Sequence, residues 1–404
     1  MKILLLCSTF PYPPTKGGTQ VRTFNLLKHL TPNHELTLIT QRNSEVTDEE
    51  VAGLRKWVKE LLIVPRPQEP DKKNIWGKVK RFANFLLQGT PPNVMHLYYP
   101  EVQAWVDRAV AAGKFDLITC EHSVNEVYVR PQWQSQLRTA INIHSSLYRT
   151  CKDRLETGTS DKEMRDRLFL PLLKRYEQRS CSKFSTVVVT TDEDEQQMRQ
   201  LVPSAEITVI PNGVDLERFP YRPADPGDYS LVFVGSLDYF VNVDAACFFA
   251  KEILPLLQEK YPDTTLTLVG SKPSAEVRNL AQANPAVNVT GSVPSIVEYL
   301  HKATVSIVPL RTGFGIKNKT LESMAAGTPI VSSDRGLEGL KVDTPDVPLR
   351  ALRANKVEEY VIAITRLYQD PQLRDKLSRN GRQLIEQEYT WERSAQLYEK
   401  ILRG

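Results

Sequence analysis

Residues 312–333 read TGFGIKNKTLESMAAGTPIVSS, and the rest of the chain is best read outward from them. Gly313 and Gly315 let the backbone pass close to a ligand, with amides available to oxygen atoms. Lys317 and Lys319 add positive charge where a helix begins, and the dipole there already favours an anion. The spacing predicts a short helix with Glu322 in its first turn, running to Ala326. Gly327 follows as a left-handed cap, and Thr328-Pro329 leads into a buried strand, Ile330-Val331-Ser332. Amides and lysines suit a phosphate, and the carboxylate suits a ribose diol, so the pattern fits a nucleotide. Taken alone, it also fits an ordinary charged helix start with solvated lysines.

Short β-rich runs alternate with helical stretches on both sides of this segment. Strands are expected at 3–7, 35–39, 61–64, 117–120, 140–144 and 186–190, then at 230–234, 264–269, 287–290, 305–308 and 330–332. Near-continuous Val/Ile/Leu runs separated by helices indicate parallel sheets covered on both faces. The I-P-N-G-V-D run at 210–215 and PYRPADPG at 220–227 mark a boundary between the two series. A chain of 404 residues exceeds one usual core, so two doubly wound α/β domains with a ligand crevice are expected. Near the end, Trp391, Ala395, Tyr398 and Leu402 lie at helical spacing.

Composition narrows the function classes. Hydrophobic content of 41% and charged content of 25% are ordinary for a globular protein, and a net charge of +4 gives no footprint for nucleic acid. The five cysteines, Cys7, Cys120, Cys151, Cys181 and Cys247, show no C-x-x-C pair, which points to reduced thiols and a cytoplasmic setting. The opening MKILLLCSTF has too short an apolar run for a leader or a span and reads as a first buried strand. Residues 190–198, TTDEDEQQM, look acidic but read as a helix start, with Thr190 and Glu193 as a capping box. No G-x-G-x-x-G motif supports a nicotinamide enzyme. Residues 51–100 hold nine Lys/Arg against three Asp/Glu. Within them Ile75, Trp76, Val79, Phe82, Ala83 and Leu86 fall at helical spacing beside Lys78, Lys80 and Arg81. That describes either a core-packed helix with a basic face or a peripheral membrane contact through 75–87.

The 312–333 pattern, G-x-G-x-K-x-K-x-L-E-x-M-A-x-G-x-P-I-V, resembles the signature of family-4 retaining glycosyltransferases (glycosyl transferases group 1), which have the GT-B fold. FVGSLDYFVNVDAACFF, LTLVGSKP and VNVTGSV precede it in the order found in similar members, with Asn242 and Asp244 matching. The resemblance assigns donor and nucleotide contacts to Gly235, Asn242, Gly270, Gly291, Ser292, Val293, Gly313, Phe314, Gly315, Ile316, Thr320, Leu321 and Glu322. It gives Lys317 and Lys319 the neutralisation of the departing diphosphate. Two departures stand out. The loop Ser236-Leu237-Asp238 lacks the cations many relatives carry, and position 314 is Phe where the E-x7-E pair has its first Glu.

In the first half, the PYPPTKGG segment at 11–18 resembles the family's first-domain glycine loop, so Gly17 and Gly18 would face donor phosphates and acceptor. His122 and His144 each follow a strand candidate, and either could reach the reacting centre; a register shift would put Glu121 there instead.

The resemblance implies an α/β GT-B fold of two Rossmann-like doubly wound domains facing a central cleft. The expected division is 1–205, an interdomain link 206–228, 229–385, and a final helix 386–404 crossing back to the first domain. The implied activity is retaining hexosyl transfer from a nucleotide diphosphate sugar, with UDP or GDP as base and no cofactor or metal. The acceptor would be a glycan, a lipid-linked saccharide or a small molecule. Two alternatives stay open: a sugar-nucleotide epimerase of the same fold, and a catalytically silent subunit that binds a nucleotide or partner.

Overall fold

The computed structural model describes every residue except 16, 69–74, 159, 161 and 314, and only the backbone at 75, 76, 78 and 79. The chain divides into two compact units, Met1–Pro211 with Ser394–Gly404, and Asn212–Arg393. Each is built on one all-parallel sheet.

The first unit contains β1 (Lys2–Cys7), β2 (Glu35–Arg42), β3 (Glu60–Pro65), β4 (Leu117–Glu121), β5 (Arg138–Asn142), β6 (Thr186–Val189) and β7 (Glu206–Val209), in the order β3-β2-β1-β4-β5-β6-β7. The second contains β8 (Ser230–Val234), β9 (Thr265–Val269), β10 (Val287–Gly291), β11 (Val305–Val308), β12 (Ile330–Ser332) and β13 (Leu352–Arg353), in the order β10-β9-β8-β11-β12-β13. Central strands are apolar throughout because both faces are covered: Ile3 and Leu4 are 0% exposed, and so is Phe233 in β8. Strand order reverses between β1 and β4, and again between β8 and β11. Loops leaving these pairs diverge and open a crevice at the carboxyl ends, where ligands bind in such sheets.

The structure departs from the expectations locally. β7 and β13 are extra strands; both are short sheet edges without the long apolar run that marks a central strand. β7 lies inside the stretch expected as a link. β5 stops at Asn142, so His144 sits in the following loop. The helix Asp192–Leu201 is capped by Thr191, whose hydroxyl accepts from Asp194 N, while Thr190 donates to the Asp194 carboxylate at 3.1 Å. The helix Trp391–Arg403 buries Trp391, Ala395, Tyr398 and Leu402, and the last three join the core of the first unit. No helix among the described residues is long and apolar enough to cross a membrane.

The ends of β8 and β9 touch through two glycines. A Cβ on Gly270 would lie 1.7 Å from the Gly235 carbonyl oxygen, a contact that only a backbone shift relieves. Gly291 has a φ of +70° but open space around it. Gly270→Ala is therefore expected to destabilise the second unit by about 3 kcal/mol and Gly291→Ala by about 1 kcal/mol. Thermal melts of the two variants check the ranking.

Candidate functional site

In the second unit the diverging loops carry the 235–242 turn and the glycines before the helix Asn318–Ala325. Gly313 and Gly315 adopt φ values of +94° and +73°, which side chains rarely tolerate. Lys317 is the N-cap residue, so Glu322 falls in the second turn of the helix rather than the first. Position 314 lies outside the described residues.

Lys319 is the centre of this arrangement. Its Nζ donates to Asn242 Oδ1 at 2.5 Å and lies 4.4 Å from the centroid of the Phe233 ring. A Cβ on Gly235 would come within 2.8 Å of the same nitrogen. Gly235 is thus small because Lys319 and Asn242 occupy the space beside it. The turn that lacks a cation of its own, Ser236-Leu237-Asp238, has the Lys319 ammonium against its first residue's neighbour, Gly235. Asn242 also donates to the Ser236 carbonyl at 2.9 Å, tying the turn to the amine. Burial, helped by the nearby Lys317 charge, pushes the Lys319 amine down to about 7. Burial likewise pushes the Glu322 carboxyl up, against the pull of Arg218 and Lys319.

The other assigned residues divide by surroundings. Lys317 donates to the Gly315 carbonyl and lies 3.6 Å from the buried Glu338 carboxylate, so its charge is partly matched within the protein. Thr320 gives its hydroxyl to the Gly336 carbonyl at 2.7 Å, and Leu321 is 0% exposed. Both side chains belong to the core. Ile316 is buried as well. Gly270 packs on Gly235, and Gly291, Ser292 and Val293 close β10 at the sheet edge.

In the first unit, Gly17 precedes the helix Gly18–Leu30 and Glu121 ends β4. Glu121, 1% exposed, is a buried hub. It accepts from Asn142 Nδ2 at 2.8 Å and lies 3.1 Å from His144 Nε2. Asn142 in turn donates to Tyr398 Oη at 2.7 Å, while the buried Arg22 donates to Asn142 Oδ1 at 3.3 Å. His144 Nδ1 lies 3.4 Å from Thr19 Oγ1 at the helix start, which fixes the ring at both nitrogens. His122 packs its ring 5.5 Å from that of His144 and adopts φ +71°. A non-glycine residue there carries about 1–3 kcal/mol of strain, a cost that concentrates at functional sites. Burial first, and the His144 charge second, push His122 down to about 3, so it is neutral at physiological pH. As a neutral ring it can exchange hydrogen bonds with a hydroxyl but carries no charge.

Sequence reasoning missed Arg22, Asn142, Tyr398 and Glu338, which act through buried partners far apart in the chain. One signal was available: Glu121 is an acid ending an otherwise apolar strand, LITCE.

The lowered Lys319 value sets a pH dependence. Below about 7 the folded protein carries a buried ammonium. Between that pH and the ordinary lysine value of 10.5 the folded state sheds the proton while the unfolded chain keeps it, so stability rises with pH across this window. Lys319→Met is expected to melt higher than wild type at pH 6.5, with the gap narrowing by pH 9.5. Melts at the two pH values check this.

Comparison with known proteins follows the same division. Residues 16–218 match the family described as Glycosyltransferase Family 4, and residues 228–370 match Glycosyl transferases group 1. A glycogen synthase of Mycobacterium tuberculosis is 30% identical over 213 residues, covering 50% of this chain and 50% of the relative. The chain thus aligns with about half the length of that curated relative. Among solved structures, sucrose-phosphate synthase from Thermosynechococcus elongatus superposes with a TM-score of 0.70 at 18% identity, over 100% of this chain and 98% of the other. Anabaena HepE in complex with UDP gives 0.66 at 14% identity, over 100% of both chains. With two Rossmann-like parallel sheets, a GT-B fold and a family match spanning half its length, the chain belongs to the family-4 glycosyltransferases.

Proposed function

We propose that the protein is a retaining glycosyltransferase that moves a sugar from a nucleotide diphosphate sugar to a hydroxyl of its acceptor. The observation that carries this reading is the buried Lys319 amine, held by Asn242 against the Gly235 turn at the reversal of strand order. A diphosphate beside it restores the charge that burial suppresses, so donor binding draws a proton onto Lys319. Charge then sits where the departing diphosphate develops it, and that stabilisation accelerates the step. Glu322 takes the ribose diol in this reading. Support for a uridine nucleotide comes from HepE, which was solved with UDP and with UDP-glucose.

The test begins with UDP, GDP and ADP. One of them, at about a hundred times its dissociation constant, should stabilise the wild type by about 2.7 kcal/mol. Most of that gain should vanish in Glu322→Ala. With the matching nucleotide sugar and its acceptor, proton NMR should show the anomeric configuration of the donor kept in the product. Nucleotide binding without turnover under any acceptor would overturn transfer.

A second reading concerns where the acceptor is met. The helix Ile75–Gln88 leaves Leu86 and Leu87 53% and 84% exposed, and the helix Glu163–Cys181 leaves Met164 and Leu168 82% and 60% exposed. Phe82 of the first stacks on Phe169 of the second, with centroids 5.5 Å apart, so the two helices lie side by side. Lys80, Lys174 and Arg175 are exposed on the same pair. The sequence-derived contact at Ile75, Trp76, Lys78 and Val79 falls on side chains outside the described residues. Apolar residues among cations fit an anionic bilayer surface. The protein should sediment with phosphatidylglycerol vesicles and not with phosphatidylcholine vesicles, and Leu87→Ser with Met164→Ser should release it. Equal sedimentation of variant and wild type would exclude this face.

A further inference from the structure

We infer that Glu338 is an internal stand-in for the donor's diphosphate: it holds the Lys317 ammonium in the free protein and yields it when a nucleotide diphosphate binds. Glu338 is then a positioning residue that acts through Lys317. The inference rests on the glycosyl-transfer reading and adds to it how the donor site is regulated from within.

A tight turn fixes the carboxylate. After β12 the chain turns at 333–338, where Leu337 N donates to the Ser333 carbonyl at 3.0 Å. Ser333 Oγ donates to the Leu310 carbonyl at 2.6 Å and accepts from Gly336 N at 3.1 Å. A Cβ on Gly336 would lie 2.1 Å from Ser332 Oγ and 2.8 Å from the Val308 carbonyl oxygen, so the turn needs glycine there. The Gly336 carbonyl accepts from Thr320, and Leu337 is buried. The turn is thus tied both to the end of β11 and to the helix Asn318–Ala325, and it delivers Glu338 beside Lys317.

Charge, rather than a hydrogen bond, joins the two side chains. Lys317 Nζ lies 3.6 Å from Glu338 Oε2, beyond hydrogen-bond reach, while the same nitrogen donates to the Gly315 carbonyl. The side chains are only 11% and 6% exposed, so each charge needs a counter-ion close by. Such a contact matches both charges yet lacks the directional bond that would make it hard to exchange. Freedom to move is unequal. Glu338 sits in the fixed turn, whereas Lys317 reaches out on a flexible four-carbon stem from the residue that opens the helix. The lysine is the member that can turn away.

Arg335 removes the obstacle to that exchange. Without Lys317 a buried carboxylate would stand unmatched, which is strongly unfavourable. Arg335 Nη1 already lies 4.0 Å from the same Oε2, and its side chain is one-third exposed, so it can close on the carboxylate as Lys317 leaves. Two cations about one carboxylate also leave the cluster net positive, which suits an incoming anion. The Lys317 charge bears on Lys319 as well, lowering its proton affinity. A diphosphate that takes Lys317 relieves this repulsion between the lysines and lets Lys319 charge beside it.

The experiment uses full-length protein and isothermal titration with UDP, GDP and ADP, together with melts of each variant without ligand. Glu338→Gln should melt lower than wild type yet bind the accepted diphosphate about threefold to tenfold tighter, because the competing carboxylate is gone. A pair that only supports packing predicts weaker binding instead. Lys317→Met should bind about tenfold weaker than wild type, and adding Glu338→Gln to it should change nothing further. Binding by Glu338→Gln that equals or falls below wild type overturns the inference, and so does a gain that persists in the Lys317→Met background. Should Glu338→Gln fail to fold, Arg335→Met decides, since it leaves the buried pair in place. Severalfold weaker binding there supports the exchange, and unchanged or tighter binding overturns it. If none of the three nucleotides binds wild type, the donor-site reading itself fails, and the exchange with it.

Discussion

A buried amine organises the second unit. Lys319 lies under the first turn after β8, where Asn242 accepts from it and the Phe233 ring lies beside it. Every neighbour of that amine is constrained by it: Gly235 because a side chain would collide with Nζ, and Gly270 because its backbone rests on the Gly235 carbonyl. A lysine held this far from water is a poor contributor to stability and a good partner for an anion. The strain of the site and its chemistry have the same source.

The first unit solves a different problem. It keeps a carboxylate, an arginine and a histidine near one another at the end of β4, out of solvent. Asn142 links Glu121 to Arg22, and the product of that network is an oriented His144 beside a neutral His122. Buried polar networks of this kind tolerate little: removing one partner leaves the others buried and unmatched.

Much of this is legible in the sequence. Alternating apolar runs located the central strands because strands covered on both faces must be apolar along their whole length, and the 312–333 run located the glycines and lysines. Edge strands β7 and β13 were invisible for the converse reason, since an edge needs no continuous apolar run. The helix start was misplaced by a turn's fraction because Lys317, a residue with no capping preference, is the cap. Thr320 and Leu321 illustrate a further limit: motif membership says nothing of whether a side chain points to ligand or core. The Glu121 network lay beyond reach because its members, at positions 22, 121, 142 and 398, meet only in the folded sheet.

Tyr398 adds a constraint in time. Its hydroxyl joins Asn142 and Thr119, 256 and 279 residues earlier in the chain, and completes the polar centre of the first unit. On the ribosome the first sheet is synthesised long before that hydroxyl exists, whereas the second unit, Asn212–Arg393, is one uninterrupted segment. The unit made first is therefore finished last: it waits with a partly unmatched interior until residue 398 emerges, while the unit made second can close on its own.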